Sequence, residues 1–240
     1  MKIVAISDIH GLLLQHMPEG DVLCIAGDIS PLKAQRNMPQ MLSWLQKKFM
    51  PWIESLPYEK VFLVAGNHDF IFEHKDFFLA AIDSIQESGK LVYLNDSYVT
   101  YNGKQFYGSP WVTGPAGWAF YDETKKLKMI DWSMPNDVDV AIFHQPLEIG
   151  GNGRVLQVPS WMVGATFPTD WLKDPNHLHP SYGSEALDKI IEEKQPKLVV
   201  TGHVHSGNHE IVNLNDTMVV NVSILDEDYK EKYSPFEITI

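Results

Sequence analysis

Short apolar runs recur along this chain, and they constrain its fold more than any other feature of the sequence. Each run is rich in Val, Ile, Leu or Phe and shows no regular alternation with polar residues, which is typical of β-strands covered on both faces. The pattern therefore predicts a sheet packed between other layers. The five runs are Ile3–Ile6, Val22–Ala26, Val61–Ala65, Val138–Phe143 and Leu198–Thr201.

Helical periodicity is found between some of these runs. Between Met38 and Leu56, apolar residues recur at three- and four-residue steps and form one stripe of an amphipathic helix. Phe77–Gln86 and Ser184–Glu193 are further helix candidates, and Ser184 is a candidate N-cap. Strands and helices alternate early in the chain and strands dominate late, so the sequence predicts a mixed α/β layered domain.

Two further signals add strands to this arrangement. Asn102-Gly103 separates two short β-forming segments and predicts a hairpin. The tail from His209 to Ile240 is expected to hold more strands. With 240 residues, the chain is expected to form one domain over residues 1–240.

The segment at about 150–182 contains glycines, prolines and the tryptophans Trp161 and Trp171, but it has no clear periodicity. A long loop inside a compact domain is typical of a lid or a binding element. We expect an insertion here, acting either as a lid whose tryptophans stack on a base or as a surface loop that packs on the domain or mediates self-association. Arg154 could reach a phosphate, although arginines in glycine-rich turns are more often solvated.

The formal net charge of −12 narrows the range of partners. Sequence-independent binding of nucleic acids depends on Lys and Arg residues that neutralise phosphates, and the sequence has no basic run. Long nucleic acids are therefore unfavourable partners. A small phosphorylated substrate, such as a nucleotide, is compatible with this surface if metal ions supply the positive charge.

Cysteine content and the first residues indicate the compartment. Cys24 is the sole cysteine, so the sequence has no disulfide framework and no cysteine-based zinc site. The apolar stretch at the start is interrupted by Asp8 and His10, too early for a signal peptide or a membrane span. We therefore expect a cytoplasmic protein without a membrane partner.

Polar residues follow each of the five apolar runs at the point where the run ends. Ligand sites in open α/β sheets form outside the carboxyl ends of the strands, so these residues are expected to converge. One His-x-His pair alone would be an ordinary loop feature, but carboxylates, an amide and imidazoles after five runs indicate a site. The eight residues are Asp8, His10, Asp28, Asn67, His68, His144, His203 and His205.

The chemistry of this set indicates metal ions. Mixed nitrogen and oxygen ligands favour first-row transition metals, and the lack of thiolates disfavours a structural zinc site. Eight groups exceed the needs of one ion. A pair of ions that share a carboxylate would use them, as in two-metal hydrolytic sites, where the ions lie ~3.5–4 Å apart.

The order of these residues resembles the five motifs of the calcineurin-like metallophosphoesterases, and the motifs span nearly the whole chain. Finer details in Gly27–Ser30, Tyr107–Trp111 and Trp118–Phe120 are similar to the MPPED-type (brain protein 239-like) phosphodiesterases of that superfamily. The motifs stand here as Asp8-x-His10, Gly27-Asp28, Gly66-Asn67-His68-Asp69, His144 and Gly202-His203-x-His205.

This resemblance implies a β-sandwich of two mixed sheets flanked by α-helices, an α/β (four-layer α+β) fold with a dinuclear metal site along one edge. It also implies that His68 is catalytic, beside the leaving-group oxygen, as a general acid or as a donor to developing charge. The implied ions are two divalent transition metals, with Mn²⁺ first and Fe, Zn or Ni as alternatives. The implied ligands are Asp8, His10 and His205 for one ion, Asn67, His144 and His203 for the other, and Asp28 as the bridge.

The implied activity is hydrolysis of a small phosphodiester, in particular a cyclic nucleotide, by in-line attack of a hydroxide that bridges the two ions. A nuclease, a phosphomonoesterase and a non-catalytic protein-binding scaffold are the alternatives. Serine/threonine protein phosphatases carry a second Asp and an Arg after Gly-Asp, and the matching segment Ile29–Leu32 has neither, which disfavours that activity. The sequence therefore does not identify the group that orients His68. Asp69 is one candidate, and a cap or turn role suits Asp69 equally well.

Overall fold

Two β-sheets pack face to face to form the body of the protein. The structure is a computed structural model, and the residues that it describes contain eleven strands, numbered here along the chain. The described residues are 1–114, 116–122, 130–131, 133–155 and 181–240.

The first sheet has five strands in the order β11-β1-β2-β3-β4. They are β1 (Lys2–Ile6), β2 (Val22–Ala26), β3 (Lys60–Val64), β4 (Leu91–Tyr93) and β11 (Phe236–Thr239). β1 to β4 pair in parallel, and β11 pairs with β1 in antiparallel orientation. The first three predicted runs are therefore interior strands, which explains why they are apolar on both faces.

The second sheet has six strands in the order β5-β6-β7-β8-β10-β9. The four interior strands are parallel to one another, whereas β5 and β9 form antiparallel edges. The predicted hairpin joins β5 to β6, and Asn102 and Gly103 have the positive φ values, 48° and 75°, that a tight hairpin turn requires. The strands are β5 (Ser97–Tyr101), β6 (Lys104–Ser109), β7 (Val140–Phe143), β8 (Leu198–Thr201), β9 (Val212–Leu214) and β10 (Thr217–Asn221).

Helices cover the outer face of each sheet. On the first sheet, α1 (Met38–Trp44), a π-helical turn (Leu45–Phe49) and α2 (Met50–Ser55) form one run, and α3 (Phe78–Gln86) lies on the same side. α4 (Glu185–Lys194) packs on the outer face of the second sheet. The order helix, sheet, sheet, helix confirms the predicted fold class.

The cores follow directly from the sequence patterns. Between the sheets, Phe62 of β3 and Phe106 of β6 stack with ring centroids 4.2 Å apart. Met41, Leu45 and Phe49, which belong to the predicted helical stripe, are fully buried against the first sheet. These contacts fix the two sheets relative to each other, and with them the strand ends that carry the polar residues.

Two predictions about the chain remain open. Trp161, Trp171 and most of the predicted insertion lie among residues 156–180, outside the described residues, so the insertion and the single domain over residues 1–240 stay predictions. None of the helices in the described part of the chain has the length and hydropathy of a membrane span.

Candidate metal centre

All eight residues predicted from the strand ends lie together at one edge of the sandwich. Both sheets direct the carboxyl ends of parallel strands toward this edge, so residues as far apart in sequence as His10 and His205 come into contact. The first sheet supplies Asp8, His10, Asp28, Asn67 and His68, and the second supplies His144, His203 and His205.

The backbone turns sharply at several of these residues. Asp8, His10, Asp28 and His203 have φ values of 53°, 41°, 54° and 71°, in the left-handed region. Asp and His enter this region more readily than most residues other than glycine, but it remains uncommon. Such a residue costs on the order of 1–3 kcal/mol and persists only where its surroundings enforce it. Their concentration at one edge is typical of a functional site.

Asp28 lies at the centre of the cluster and is 2 % exposed. Three imidazoles face a single oxygen: Asp28 Oδ2 is 3.7 Å from Nε2 of His10, 3.8 Å from Nε2 of His68 and 3.5 Å from Nε2 of His144. The other oxygen, Oδ1, accepts a hydrogen bond of 2.8 Å from the backbone N–H of His68. One carboxylate oxygen of Asp28 is therefore close to histidines from both sheets.

One half of the cluster contains Asp8, His10 and His205. The Nε2 atoms of the two histidines lie 3.2 Å apart, and Nε2 of His205 lies 3.5 Å from Oδ1 of Asp8. Nδ1 of His205 donates to the carbonyl oxygen of Asp226 at 2.8 Å, so Nε2 is the nitrogen that faces the cluster. Ser223 Oγ donates to Asp8 Oδ2 at 2.7 Å and fixes that carboxylate.

The other half contains Asn67, His144 and His203. Asn67 Oδ1 lies 2.9 Å from Nε2 of His144 and 2.8 Å from Nδ1 of His203. Nδ1 of His144 donates to the carbonyl oxygen of Ala26 at 2.8 Å, and this bond again turns Nε2 toward the cluster. Backbone carbonyls thus set the ring orientation in both halves, as is usual for metal-ligating histidines.

The carboxylates make this edge of the sandwich favourable for positive charge. Burial alone would lower the pKa of His144, but the charge of Asp28, its hydrogen bond and the charge of Asp8 together outweigh burial and raise the pKa to about 9. Burial would likewise lower the pKa of His205, but the hydrogen bond to Asp8 and the negative charge of Asp8 raise it to about 9. For both carboxylates the neighbouring histidines overcome the effect of burial and hold the pKa below its usual range.

Two other rings stay neutral. Burial, together with the neighbouring histidines, lowers the pKa of His10 and of His203 to about 3 each. A neutral imidazole keeps a lone pair, which is the form that binds a metal. The site therefore combines anionic carboxylates with imidazoles that can act as ligands.

This donor set fits two divalent cations. Among the described residues, three groups of three Asp or His residues have ligand atoms within 4.8 Å of one another, and two of these groups include Asp28. Asn67 adds an amide oxygen. Imidazole and carboxylate ligands without thiolate suit the transition metals that the sequence predicts. The division of the residues between two ions stays a prediction.

His68 is held from several sides. Its Nδ1 is hydrogen-bonded to Oε1 of Gln35. The ring of Trp118 lies against it, with ring centroids 4.3 Å apart. Burial lowers the pKa of His68, although the charge of Asp28 opposes this effect. Gln35 was not predicted from the sequence, because a lone glutamine belongs to no motif and its contact depends on the path of the loop after β2.

The sequence left two roles open for Asp69, the orientation of His68 and a cap or turn role. In the structure Asp69 has the turn role. Its buried carboxylate accepts backbone N–H bonds from Gly66 at 2.8 Å, Ile29 at 3.3 Å and Ser30 at 2.9 Å. The hydroxyl of Ser30 donates to it at 2.6 Å. None of its hydrogen bonds with described residues reaches the ring of His68. Asp69 therefore ties the loop after β2 to the loop after β3.

A cavity of about 370 Å³ opens onto the cluster. Three aromatic residues, Trp118, Tyr182 and Tyr229, contribute to its lining, and the described residues that line it include no Lys or Arg. The ring of Tyr229 stands edge-on to His10 and His205, at centroid distances of 5.0 Å and 5.1 Å. The two tyrosines were missed in the sequence, since neither follows an apolar run.

Two other features lie apart from this chemistry. A larger cavity of about 520 Å³ lies between α3 and β4, but no histidine or carboxylate contributes to its described lining. Arg154 forms an isolated antiparallel β-bridge with Ser181 through the backbone. It is not among the described residues that line the smaller cavity. A contact between Arg154 and a phosphate stays a prediction.

Comparisons with known proteins identify the relatives of this chain. The model of the calcineurin-like phosphoesterase family matches residues 1–207. Metallophosphoesterase domain-containing protein 1 of Homo sapiens is 29% identical over 259 residues, which cover 100% of this chain and 71% of that protein. A UPF0046 protein of Caenorhabditis elegans is 27% identical over 251 residues, which cover 98% of this chain and 79% of that protein.

Solved structures share the fold. TT1561 of Thermus thermophilus matches with a TM-score of 0.57 at 14% identity, covering 95% of this chain and 90% of that one. The phosphopantetheinyl hydrolase of Mycobacterium tuberculosis matches with a TM-score of 0.55 at 13% identity, covering 99% and 95%. At these identities the likeness concerns the fold alone.

Proposed function

The chain belongs to the calcineurin-like phosphoesterase family of metal-dependent phosphoester hydrolases, and we propose that it is a phosphodiesterase that hydrolyses a small nucleotide, in particular a cyclic one. The observation that carries the proposal is the convergence of three imidazoles on one oxygen of Asp28. A carboxylate in this position suits the sharing of two ions.

The proposed ligands are the seven residues whose donor atoms face the cluster. Several of them are already fixed by second partners, such as the carbonyl of Ala26 for His144 and the hydroxyl of Ser223 for Asp8. When bound, two divalent ions would supply Lewis-acid polarisation of the phosphate and offset its negative charge. The ligands are Asp8, His10 and His205 for one ion, Asn67, His144 and His203 for the other, and Asp28 for both.

His68 is the proposed catalytic residue. Its Nδ1 is occupied by Gln35, so Nε2, which lies 3.8 Å from Asp28 Oδ2, is the nitrogen that faces the cavity. When the ring is protonated on both nitrogens, the proton at Nε2 can be transferred to the oxygen of the departing alcohol, which leaves a neutral ring with its hydrogen on Nδ1. Such proton transfer contributes roughly 10²–10⁴-fold to rate.

The charge of the site supports a diester over a monoester. A monoester carries more negative charge than a diester, and the described lining of the cavity offers no Lys or Arg to bind it. The segment Ile29–Leu32 also lacks the arginine of the protein phosphatases. The net charge of −12 disfavours a nuclease that tracks a long phosphate backbone.

The aromatic lining supports a nucleotide. Trp118, Tyr182 and Tyr229 contribute ring surface beside the metal-ligating residues. Stacking of a base on an aromatic side chain is worth roughly 1–3 kcal/mol. We further propose Mn²⁺ as the metal, with Fe, Zn or Ni as alternatives, and a reducing, cytoplasmic setting, in keeping with the free and buried thiol of Cys24.

A substrate panel tests the proposal. The purified chain would be assayed with each metal on 2′,3′- and 3′,5′-cyclic nucleotides, linear dinucleotides, phosphomonoesters and bis-p-nitrophenyl phosphate. We expect the cyclic nucleotides to be hydrolysed fastest and His68→Ala to lose at least about 100-fold in kcat/KM. Faster cleavage of monoesters than of every diester would contradict the diester preference. Inactivity of the wild type with every metal and ester would favour a scaffold.

A further inference from the structure

We propose that Gln35 is the positioning residue of His68: its side-chain amide holds the imidazole in a single tautomer with Nε2 directed into the cavity. The kinetic part of this proposal rests on the proposed function. The structural part, the tautomer and orientation of one ring, does not.

The first support is the hydrogen bond between Gln35 Oε1 and His68 Nδ1. An amide oxygen can only accept, so Nδ1 must carry the hydrogen. That leaves Nε2 as the nitrogen that exchanges a proton with substrate. Without this partner, the ring could rotate or adopt the opposite tautomer, and either change would remove Nε2 from its position.

The second support is that the nearby carboxylate, the usual kind of group to orient a catalytic histidine, already has other hydrogen-bond partners. A carboxylate commonly orients a catalytic histidine. The nearby carboxylate of Asp69 already accepts hydrogen bonds from Gly66, Ile29 and Ser30. A further carboxylate beside His68 would also add negative charge close to Asp28. A neutral amide orients the ring without that repulsion.

The third support is the anchoring of Gln35 itself. Its backbone N–H donates to the carbonyl of Pro31 at 3.0 Å, and the N–H of Ala34 donates to the same carbonyl at 2.9 Å. Gly11, in the loop after β1, packs so closely on Pro31 that a Cβ added to Gly11 would lie 2.8 Å from a ring carbon of Pro31. The turn that carries Gln35 is therefore fixed to the loop that carries His10.

The neighbouring residue, Arg36, supports a second contact of the His68 ring. The guanidinium of Arg36 lies 5.0 Å from the ring centroid of Trp118 and 4.1 Å from that of Phe70, and it donates to the carbonyl of Gly117 at 3.2 Å. Trp118 in turn lies against His68. Two consecutive residues of one turn thus hold His68. Gln35 bonds to a nitrogen of the His68 ring, and Arg36 contacts Trp118, which lies against that ring.

A leaving-group series separates this role from a general structural one. Aryl methyl phosphates would be assayed with leaving groups from p-nitrophenol, which departs without help, to phenol, which needs a proton. In Gln35→Ala we expect a loss within about threefold for the p-nitrophenyl ester and of about 10–100-fold for the phenyl ester. Gln35→Glu, which can accept the same hydrogen bond, should recover much of the phenyl activity. Gln46→Ala, the replacement of an amide on the distant helical run, serves as the control.

The double variant shows whether the effect passes through His68. In a His68→Ala background, Gln35→Ala should cause no further loss on any ester. An equal loss across the leaving-group series, or the same loss in both backgrounds, would overturn the proposal. Metal content of each variant shows that the site is still loaded.

A spectroscopic measurement tests the tautomer without activity. Long-range ¹H–¹⁵N spectra of the Zn²⁺-loaded protein, with His68 assigned by its absence in His68→Ala, should show hydrogen on Nδ1 in the wild type and a mixture of tautomers in Gln35→Ala. A wild-type ring with hydrogen on Nε2 alone would overturn the proposal. If the wild type hydrolysed no ester, the proposed function would fail, and the tautomer would still decide the role of Gln35.

Discussion

The Nε2 atoms of His10 and His205 face each other at 3.2 Å. Nδ1 of His205 donates to the carbonyl of Asp226, and the pKa of this ring is raised to about 9. Burial lowers the pKa of His10 to about 3, so its Nε2 can accept the proton that Nε2 of His205 donates. A metal ion bound to both nitrogens would take the place of this proton, because a ligating imidazole nitrogen must be deprotonated.

Metal binding should raise thermal stability. At a free Mn²⁺ concentration 100 times the Kd, binding to the folded state contributes about 2.7 kcal/mol. For a chain of this size, about 2–4 °C per kcal/mol gives an increase in Tm of roughly 5–10 °C over chelator-treated protein. Differential scanning calorimetry measures this. Asp28→Asn should abolish most of the increase, whereas Asp76→Asn, at an exposed carboxylate, should retain it; an unchanged Tm for the wild type would contradict the metal centre.

Gly66→Ala should disrupt the site through sterics alone. A Cβ at this position would collide with the carboxylate of Asp28 and lie 2.7 Å from Cε1 of His144. We expect metal binding to weaken by about 10–100-fold, as for other changes that displace metal ligands. Isothermal titration calorimetry measures the affinity. Gly114→Ala is the matched control, because a Cβ at Gly114 meets no atom of the described residues within 4 Å. Similar affinities in both variants would refute the steric explanation.

Asp69→Ala should lower stability more than a typical surface substitution. Four donors, from Gly66, Ile29 and Ser30, would lose their acceptor in a buried position. Each unsatisfied buried group costs about 1–3 kcal/mol, and water entering the space would reduce the total, so we expect a loss of roughly 2–4 kcal/mol. Urea denaturation of the metal-free protein gives the free energy of unfolding. A change below about 0.5 kcal/mol, the range of surface substitutions, would argue against the bracing role.

Asp188 should make stability depend on pH. Burial raises the pKa of Asp188 from its ordinary 3.8 to about 6 in the folded state, against the backbone N–H of Glu148, which donates to it at 3.0 Å. The folded state thus binds more protons than the unfolded state between these values, and stability falls as the pH rises through them. Relative to wild type, Asp188→Asn should gain stability from pH 4 to pH 7. A difference in stability that does not change with pH would contradict this prediction.

Local patterns predicted a layered α/β domain and the strand-end residues, whereas the sandwich of two sheets was implied by the family resemblance. Runs such as Val22–Ala26 are apolar on both faces since they are interior strands, and parallel pairing brings their carboxyl ends to one edge. The N-cap of α4 was predicted for the same reason, and Ser184 Oγ accepts from the N–H of Leu187 at 3.2 Å. Each signal lies within a few residues of the feature that it specifies.

The residues that surround the cluster could not be predicted in this way. Tyr229 reaches the cavity because the chain passes it on the way to β11, and Gln35 reaches His68 through the geometry of one turn. Neither position carries periodicity or spacing that differs from an ordinary loop. The role of Asp69 could not be predicted either, because its sequence context allowed two roles and only the packing of the loops decides between them.

The division of the proposed ligands between the sheets has a consequence for assembly. Asp8, His10, Asp28 and Asn67 precede β5, whereas His144, His203 and His205 come after it. Cleavage of the chain between β4 and β5 would leave each fragment with an incomplete set and no shared carboxylate in contact with both halves. High-affinity cation binding by a mixture of the two fragments would then report their reassociation, and a metal titration could measure how strongly the sheets recognise each other.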